Sequence, residues 1–172
     1  MLKEIINFVI YIFLIFSLTL SNNNIDDISI ISNTSDDVYF KLNIPDINLN
    51  KDVHTFNSKN NSVDKGIYLV KDYDINKLKG SLILASHSGS SEISYFKNLD
   101  KIDVGTILYL TYNDNNYFYK ITSIYKIDKT GKFKYMNKDK AIYLITCDKN
   151  NKHKQIVFYG ELIKKIKKSS FF

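Results

Sequence analysis

The sequence is poor in cysteine and arginine: it contains a single cysteine, Cys147, and no arginine. One cysteine excludes an internal disulfide and a CxxC redox pair, and it offers no metal-binding spacing. We therefore expect no metal and no cofactor. The absence of arginine means that all 24 basic residues are lysines. No guanidinium is available for planar, bidentate recognition of an anion.

The chain carries a net charge of +6. Such a charge suits a protein that works near anionic polymers or lipid head groups, although lysine and asparagine are spread over every loop. Nucleic-acid binding would require a basic stripe with interleaved aromatics or a known motif. The 13 tyrosines and 11 phenylalanines instead alternate within strand-like runs, as packing residues do. We therefore predict no nucleic-acid partner.

An apolar segment begins the sequence. Lys3 precedes a nearly continuous apolar run over residues 5–20, and residues 21–24 are abruptly polar. At about 1.5 Å per residue the run is slightly short for a full membrane span and near the upper limit for a signal-peptide core. Because the run ends in a poor cleavage site, we predict an uncleaved, single-pass signal-anchor over residues 1–24, with the remainder exported. A polar spacer (25–37) and one extracellular domain (38–172) are predicted to follow.

From residue 38 onward the composition is typical of β-structure. Short runs of β-branched and aromatic residues alternate with polar turns, and residues 94–101 are predicted to form a short helix. The predicted strands cover residues 38–44, 53–56, 81–86, 106–112, 117–127, 141–147 and 155–163. About eight strands at this spacing predict an all-β, closed barrel. Residues 164–168 are predicted to be a solvated tail or a weak contact with an anionic surface.

The cysteine and one histidine both follow apolar runs. Cys147 ends the strand-like run over residues 141–147, and His87 follows the run over residues 81–86. Two strand ends can meet at the rim of one sheet, where a Cys/His pair is the minimum equipment for thiol acyl transfer. A buried packing cysteine is the alternative, since free cysteine is often buried. His54 is interpreted as an unpartnered surface histidine and His153 as a bystander in the loop after Cys147.

Five segments carry a family resemblance, and they come in the family's order. They are LNIPD (42–46), LILASHSG (82–89), FKNLDKIDVG (96–105), LITCD (144–148) and the last strand (156–162). Together they resemble the sortases, membrane-anchored cysteine transpeptidases of Gram-positive cell surfaces. The resemblance spans residues 39–163 and implies a sortase-like β-barrel. It also implies that the connection over residues 128–140 overhangs a substrate groove.

The resemblance implies a role for three residues. Cys147 is the expected nucleophile and His87 the expected acid and base. The family's third catalytic residue is an arginine at the start of the last strand, where this chain has Gln155 with Lys154 beside it. By strand alternation only one of the two can face Cys147, and we predict that Gln155 does so.

The resemblance also implies a reaction and its partners. Sortases cut a short sorting motif of the Leu-Pro-x-Thr-Gly kind in exported proteins, form a thioester and pass the acyl group to a surface amine. Two alternatives remain. One is a non-catalytic, sortase-like surface binding module, although the presence of both Cys147 and His87 argues against it. The other is a different wall enzyme, such as an L,D-transpeptidase, but those carry His and Cys close together in one motif.

Overall fold

The computed structural model describes residues 37–168 of the chain. Within them the backbone forms eight β-strands and two one-turn 3-10 helices, at Pro45–Ile47 and Leu99–Lys101. The strands are β1 (Val38–Ile44), β2 (Leu49–His54), β3 (Tyr68–Leu69), β4 (Ser81–Ala85), β5 (Ile107–Tyr112), β6 (Asn115–Asp128), β7 (Ala141–Cys147) and β8 (Lys154–Lys167). The prediction of an all-β fold with about eight strands is confirmed.

The strands form one sheet that curls into a nearly closed barrel. Their order is β2-β1-β5-β6-β8-β7-β4-β3. Neighbours are antiparallel except β4 and β7, which run parallel. The two ends of this order are joined by one isolated backbone bridge, between Val53 and Ile67. The sequence predicted a closed barrel. The barrel is instead nearly closed, with a seam between β2 and β3.

The predicted helix over residues 94–101 is wrong. Only Leu99–Lys101 is helical, as a single 3-10 turn, and residues 37–168 contain no α-helix. Phe96 and Leu99 are nevertheless fully buried. An eight-residue segment cannot offset the cost of nucleating a helix, and its serine, aromatic and Asn/Asp residues are weak helix formers. Burial of two apolar side chains determines its path instead.

The predicted solvated tail over residues 164–168 is also wrong for most of its length. β8 continues to Lys167, where it pairs with Asn115 of β6. Pairing of β8 with β7 ends earlier, at Glu161 opposite Ala141. Beyond that point β8 pairs with β6 alone, while β6 pairs with β5 on its other side. The outer edge of β8 there has no strand beside it in the described part of the chain.

The apolar side chains form two clusters, one inside the barrel and one outside. The interior cluster is the larger and takes alternate residues of the strands, among them Leu84, Leu144 and Phe158. The outer cluster comprises Ile83, Tyr143, Ile145 and Val157 on the opposite face of β4, β7 and β8. Because both faces of β4 and β7 are covered, these strands appear in the sequence as continuous apolar runs.

All eight strands and both clusters lie within residues 37–168, so this segment has a complete core of its own. The predicted signal-anchor over residues 1–24, and all of the predicted spacer except Asp37, lie outside the described residues. Between residues 37 and 168 no helix is both long and apolar enough to span a bilayer.

Candidate active site

Three strand ends meet at one edge of the sheet. Cys147 is the last residue of β7 and lies directly opposite Gln155 in the antiparallel register with β8. On the other side, Ala85 of β4 pairs with Ile145 of β7, and the pairing continues beyond the strand. The Ser86 N–H donates to the Ile145 carbonyl at 3.2 Å. The register therefore brings His87, the next residue, level with Cys147.

The thiol lies between the outer cluster and a cavity at the end of the barrel. By alternation along β7, Cys147 shares a face with Tyr143 and Ile145, and Gln155 shares that face with Val157. Cys147 is half-buried and also borders a cavity of about 220 Å³. It is therefore partly exposed and not sealed in the core.

The His87 ring engages a carboxylate rather than the thiol. Its Nε2 lies 3.4 Å from Asp64 Oδ1, and the side chain is 42% exposed. The His87 carbonyl accepts a hydrogen bond from the Phe96 N–H at 3.2 Å, which fixes the backbone after β4. No hydrogen bond joins His87 to Cys147, and the cavity beside Cys147 is lined by Ser88 rather than His87. A groove shared by the thiol and the imidazole stays a prediction.

Gln155 and Lys154 lie on opposite sides of β8. The ammonium of Lys154 is 2.7 Å from Asp128 Oδ1, its cross-strand neighbour on β6. Gln155 pairs with Cys147 on β7 and with Ile127 on β6. The lysine is therefore held by a carboxylate, while the amide is the residue opposite the thiol.

An ion pair between a buried carboxylate and an exposed lysine follows the cysteine directly. The Asp148 side chain is only 2% exposed, and its Oδ2 lies 2.7 Å from Lys126 Nζ. Its Oδ1 accepts the Asn150 N–H at 2.9 Å, which tightens the turn after β7. The Lys126 ammonium, together with the Asn150 N–H, holds the pKa of Asp148 below its usual value.

A second ion pair fixes the same loop from outside. Lys149 Nζ lies 3.1 and 3.0 Å from the two carboxylate oxygens of Asp100 and also donates to the Lys97 carbonyl. The loop supplies the carboxylate of the first pair and the ammonium of the second. All four charged residues line the cavity beside Cys147. Sequence reasoning assigned none of them to the site. The available signal was Asp148, an acidic residue directly after the only cysteine.

The connection between β6 and β7 lies over the outer cluster. Phe133 and Tyr135 stack with ring centroids 5.5 Å apart, and both rings meet Tyr143 edge-on. The Tyr143 hydroxyl donates to the Met136 carbonyl at 3.0 Å. An aromatic wall thus borders the apolar face that Cys147 and Gln155 share.

Of the other two histidines, His54 ends β2 away from this edge, and His153 lies in the loop between β7 and β8. The prediction that His54 has no partner is wrong, because its Nδ1 lies 2.8 Å from Asp37 Oδ1. Asp37 also accepts hydrogen bonds from Ser58 and from Asn60 Nδ2, at 3.1 Å for Asn60, and its pKa is lowered, chiefly by the Ser58 bond. His153 is exposed.

Comparisons with known proteins agree with this fold. The family model of the sortase domain matches residues 42–163. Sortase A of Listeria monocytogenes is 40% identical over 88 residues, which are 50% of this chain and 40% of that protein, so the match spans less than half of the curated relative. The crystal structure of Listeria monocytogenes sortase A superposes with a TM-score of 0.66 at 30% identity, covering 78% of this chain and 93% of that one. Sortase C-3 of Streptococcus pneumoniae has a TM-score of 0.65 at 21% identity, covers 77% and 66%, and supports the fold alone.

Proposed function

The chain belongs to the sortase family, and from that premise we propose that it is a cysteine transpeptidase. It cuts a sorting motif in exported proteins through a thioester and joins the acyl part to an amine of the cell surface. The observation that carries this proposal is the register of three neighbouring strand ends. That register brings Cys147, Gln155 and, by continuation of β4, His87 to one edge of the sheet.

Acylation uses the thiol and the imidazole. The Cys147 thiolate attacks the carbonyl carbon of the scissile peptide bond and forms a C–S bond. The C–N bond then breaks, and His87 in its protonated form gives its proton to the departing amine. The product is a thioester on Cys147 and a neutral His87.

Deacylation reverses these roles. An incoming primary amine attacks the thioester carbon while His87 takes the proton that the amine loses. The new C–N bond forms, the C–S bond breaks, and Cys147 leaves as a thiolate. One peptide bond is exchanged for another amide, so the reaction needs no cofactor and no oxidant.

Gln155 supplies the donor that the family takes from arginine. In both steps negative charge develops on the carbonyl oxygen, and a donor aimed at that oxygen lowers the barrier. The amide NH2 of Gln155 is the side-chain donor opposite Cys147, since Lys154 is engaged by Asp128. A neutral donor is weaker than a charged one, so a slower enzyme is expected rather than an inactive one.

The acyl part of the substrate lies on the outer apolar face. Tyr143, Ile145 and Val157 form its floor, and Phe133 and Tyr135 form one wall. An extended peptide of the Leu-Pro-x-Thr-Gly kind, which sortases recognise, offers leucine and proline side chains for this apolar surface. The cysteine lies at the end of the floor, where the scissile bond would be presented.

The enzyme acts outside the cell, held by a membrane anchor. Sortases are membrane-associated enzymes of the cell surface, and the pattern of Lys3 and the apolar run 5–20 supports a single-pass anchor here. The alternative is a non-catalytic surface binding module. The cysteine and histidine on neighbouring strand ends favour catalysis, since a binding module needs neither.

Capture of the acyl-enzyme tests the proposal. The protein is incubated with Leu-Pro-x-Thr-Gly peptides and with exported proteins of the same cell, and the mass of the intact chain is measured. We expect an adduct of the acyl fragment that hydroxylamine releases, and no adduct on Cys147→Ala. His87→Ala should slow adduct formation strongly. Absence of a thioester with every exported partner would favour the binding module.

A further inference from the structure

The C-terminal end of β8 carries the densest run of positive charge in the described chain. Residues 163–168, here called the lysine ribbon, contain four lysines and two isoleucines, and all six side chains are exposed. Ile163 is 50% and Ile166 45% exposed. A solvated polar strand does not need exposed isoleucines, so the ribbon combines charge with apolar surface.

Two of these lysines lie over aromatic rings, one on each face of the strand. Lys164 Nζ lies 4.6 Å from the Phe118 ring centroid, and Lys165 Nζ lies 4.8 Å from that of Tyr117. Six lysines elsewhere are neutralised by carboxylates. The four ribbon lysines form no ion pair with any residue between 37 and 168. Their charge is therefore available to an anionic surface.

The lysine ribbon lies at the opposite end of the barrel from the candidate active site. Gln155, opposite Cys147, is the second residue of β8, and Lys167 ends the same strand. Twelve residues of strand separate the two, about 40 Å at ~3.3 Å per residue. Val38, the first residue of β1, shares a surface depression with Lys168. The described chain thus begins at the lysine end.

We propose that the lysine ribbon docks on the anionic lipid head groups of the membrane that anchors the chain. The proposal rests on the proposed membrane location. Residues 21–37 connect the apolar run to β1 and span at most ~60 Å even when extended, so the lysine end stays within reach of the bilayer. Lysines near an anionic leaflet are attracted to it, and exposed isoleucines can enter its interface. Docking at this end directs Cys147 away from the membrane, towards the wall.

Vesicle binding by the isolated domain tests this docking without the anchor. Residues 37–172 are mixed with phosphatidylcholine vesicles that contain or lack phosphatidylglycerol, at low salt and at ~0.15 M salt. We expect sedimentation with the anionic vesicles alone and weaker binding at the higher salt. Replacing Lys164, Lys165, Lys167 and Lys168 by Gln should weaken binding several-hundred-fold, since each lysine near the surface contributes about fivefold.

The matched control removes the same charge elsewhere. Lys79, Lys101, Lys129 and Lys132 are exposed and form no ion pair among the described residues, and their replacement by Gln should weaken binding about threefold or less. An equal loss in both variants would overturn the proposal, because the attraction would then depend on net charge alone. Unchanged binding of the ribbon variant would overturn it too. If that variant aggregates while its binding is unchanged, the lysines serve to protect the open strand edge.

Two measurements separate this proposal from the proposed function. Vesicle binding is repeated with Cys147→Ala, which cannot form a thioester and should bind vesicles normally. If the fourfold variant fails to fold, Lys167→Glu with Lys168→Glu replaces it, since neither side chain packs on an aromatic ring. This double substitution should abolish binding to the anionic vesicles, while the thioester with a soluble peptide still forms.

Discussion

At the scale of single residues, Gln155 is the residue proposed to replace the arginine of other sortases. We expect Gln155→Ala to slow thioester formation by about 100- to 1,000-fold, the usual cost of losing one oxyanion donor. Gln155→Arg should raise the rate, because a charged donor makes a stronger hydrogen bond. The measurement is acyl-enzyme capture by mass spectrometry over time, with Cys147→Ala as the blank.

Lys154→Ala is the matched control for that experiment. Its ammonium is engaged by Asp128, so the rate should barely change. If Lys154→Ala is inactive and Gln155→Ala behaves like the unmodified protein, the lysine takes the place of the arginine and the proposed role of Gln155 is wrong.

Asp148 contributes to the stability of the folded chain in a pH-dependent way. Its pKa is lowered in the folded chain, chiefly by Lys126, so the ionised carboxylate stabilises the fold above its unfolded pKa near 3.8. That contribution is lost as the pH falls through the lowered pKa. Asp148→Asn should therefore melt at a lower temperature than the unmodified protein at pH ~7, and the difference should shrink as the pH falls below 3.8.

The exposed ion pair of Asp128 provides the control for this titration. Asp128 is 72% exposed, and exposed pairs contribute little to stability. Asp128→Asn should leave the melting temperature nearly unchanged across the same pH range. An Asp148→Asn difference that does not shrink as the pH falls below 3.8 would show that the side chain acts through packing and not through its charge.

The sequence predicted the residues at the strand ends but not the charges around them. Gln155 opposite Cys147 follows from strand alternation, which is a local rule. The Lys126–Asp148 pair joins β6 to the loop after β7, and nothing local indicates which lysine reaches a given carboxylate. The same holds for His54 and Asp37, which are 17 residues apart.

At the scale of elements, Gly160 permits the close approach of β6, β7 and β8. A Cβ at this position would lie 2.9 Å from the Lys120 carbonyl oxygen and 3.2 Å from Ile142 Cγ2. Gly160→Ala should therefore destabilise the fold by about 1–3 kcal/mol through overpacking. Urea unfolding measures this, and Gly89→Ala is the control. The nearest atom there is Ser94 Oγ at 3.5 Å, so equal losses in both variants would contradict the steric argument.

Element bounds were predictable where composition changes sharply and not elsewhere. Pro45 ends β1 and Cys147 ends β7 as predicted. β2 begins four residues before its predicted start, because Leu49 pairs with Ile44 across the 3-10 turn. The lysine-rich end of β8 has a polar composition typical of a tail, yet cross-strand pairing with β6 keeps it extended.

At the scale of the whole molecule, the anchor prediction concerns residues outside the described part. Lys3 and the apolar run 5–20 predict that the protein stays with membranes after a salt wash. Protease added to wall-stripped cells should digest the domain. A soluble, secreted form that begins near residue 22 would show instead that the segment is a cleaved signal.

The fold class followed from counting strand-like runs, because each short apolar run needs neighbours to satisfy its backbone. The parallel pairing of β4 with β7 did not follow from local patterns. It joins residues 60 positions apart, Ala85 with Ile145, and depends on the path of the whole chain.

The seam between β2 and β3 has a consequence for the motion of the barrel. β3 is two residues long and pairs fully with β4 alone, so few hydrogen bonds must break to release it. Local opening there should require much less free energy than global unfolding, and its amides should exchange with deuterium before those of β6, β7 and β8. Asp64, the contact of the His87 ring, lies in the loop that leads into this strand. Local opening of the seam would therefore release the His87 imidazole from Asp64 on the timescale of local unfolding.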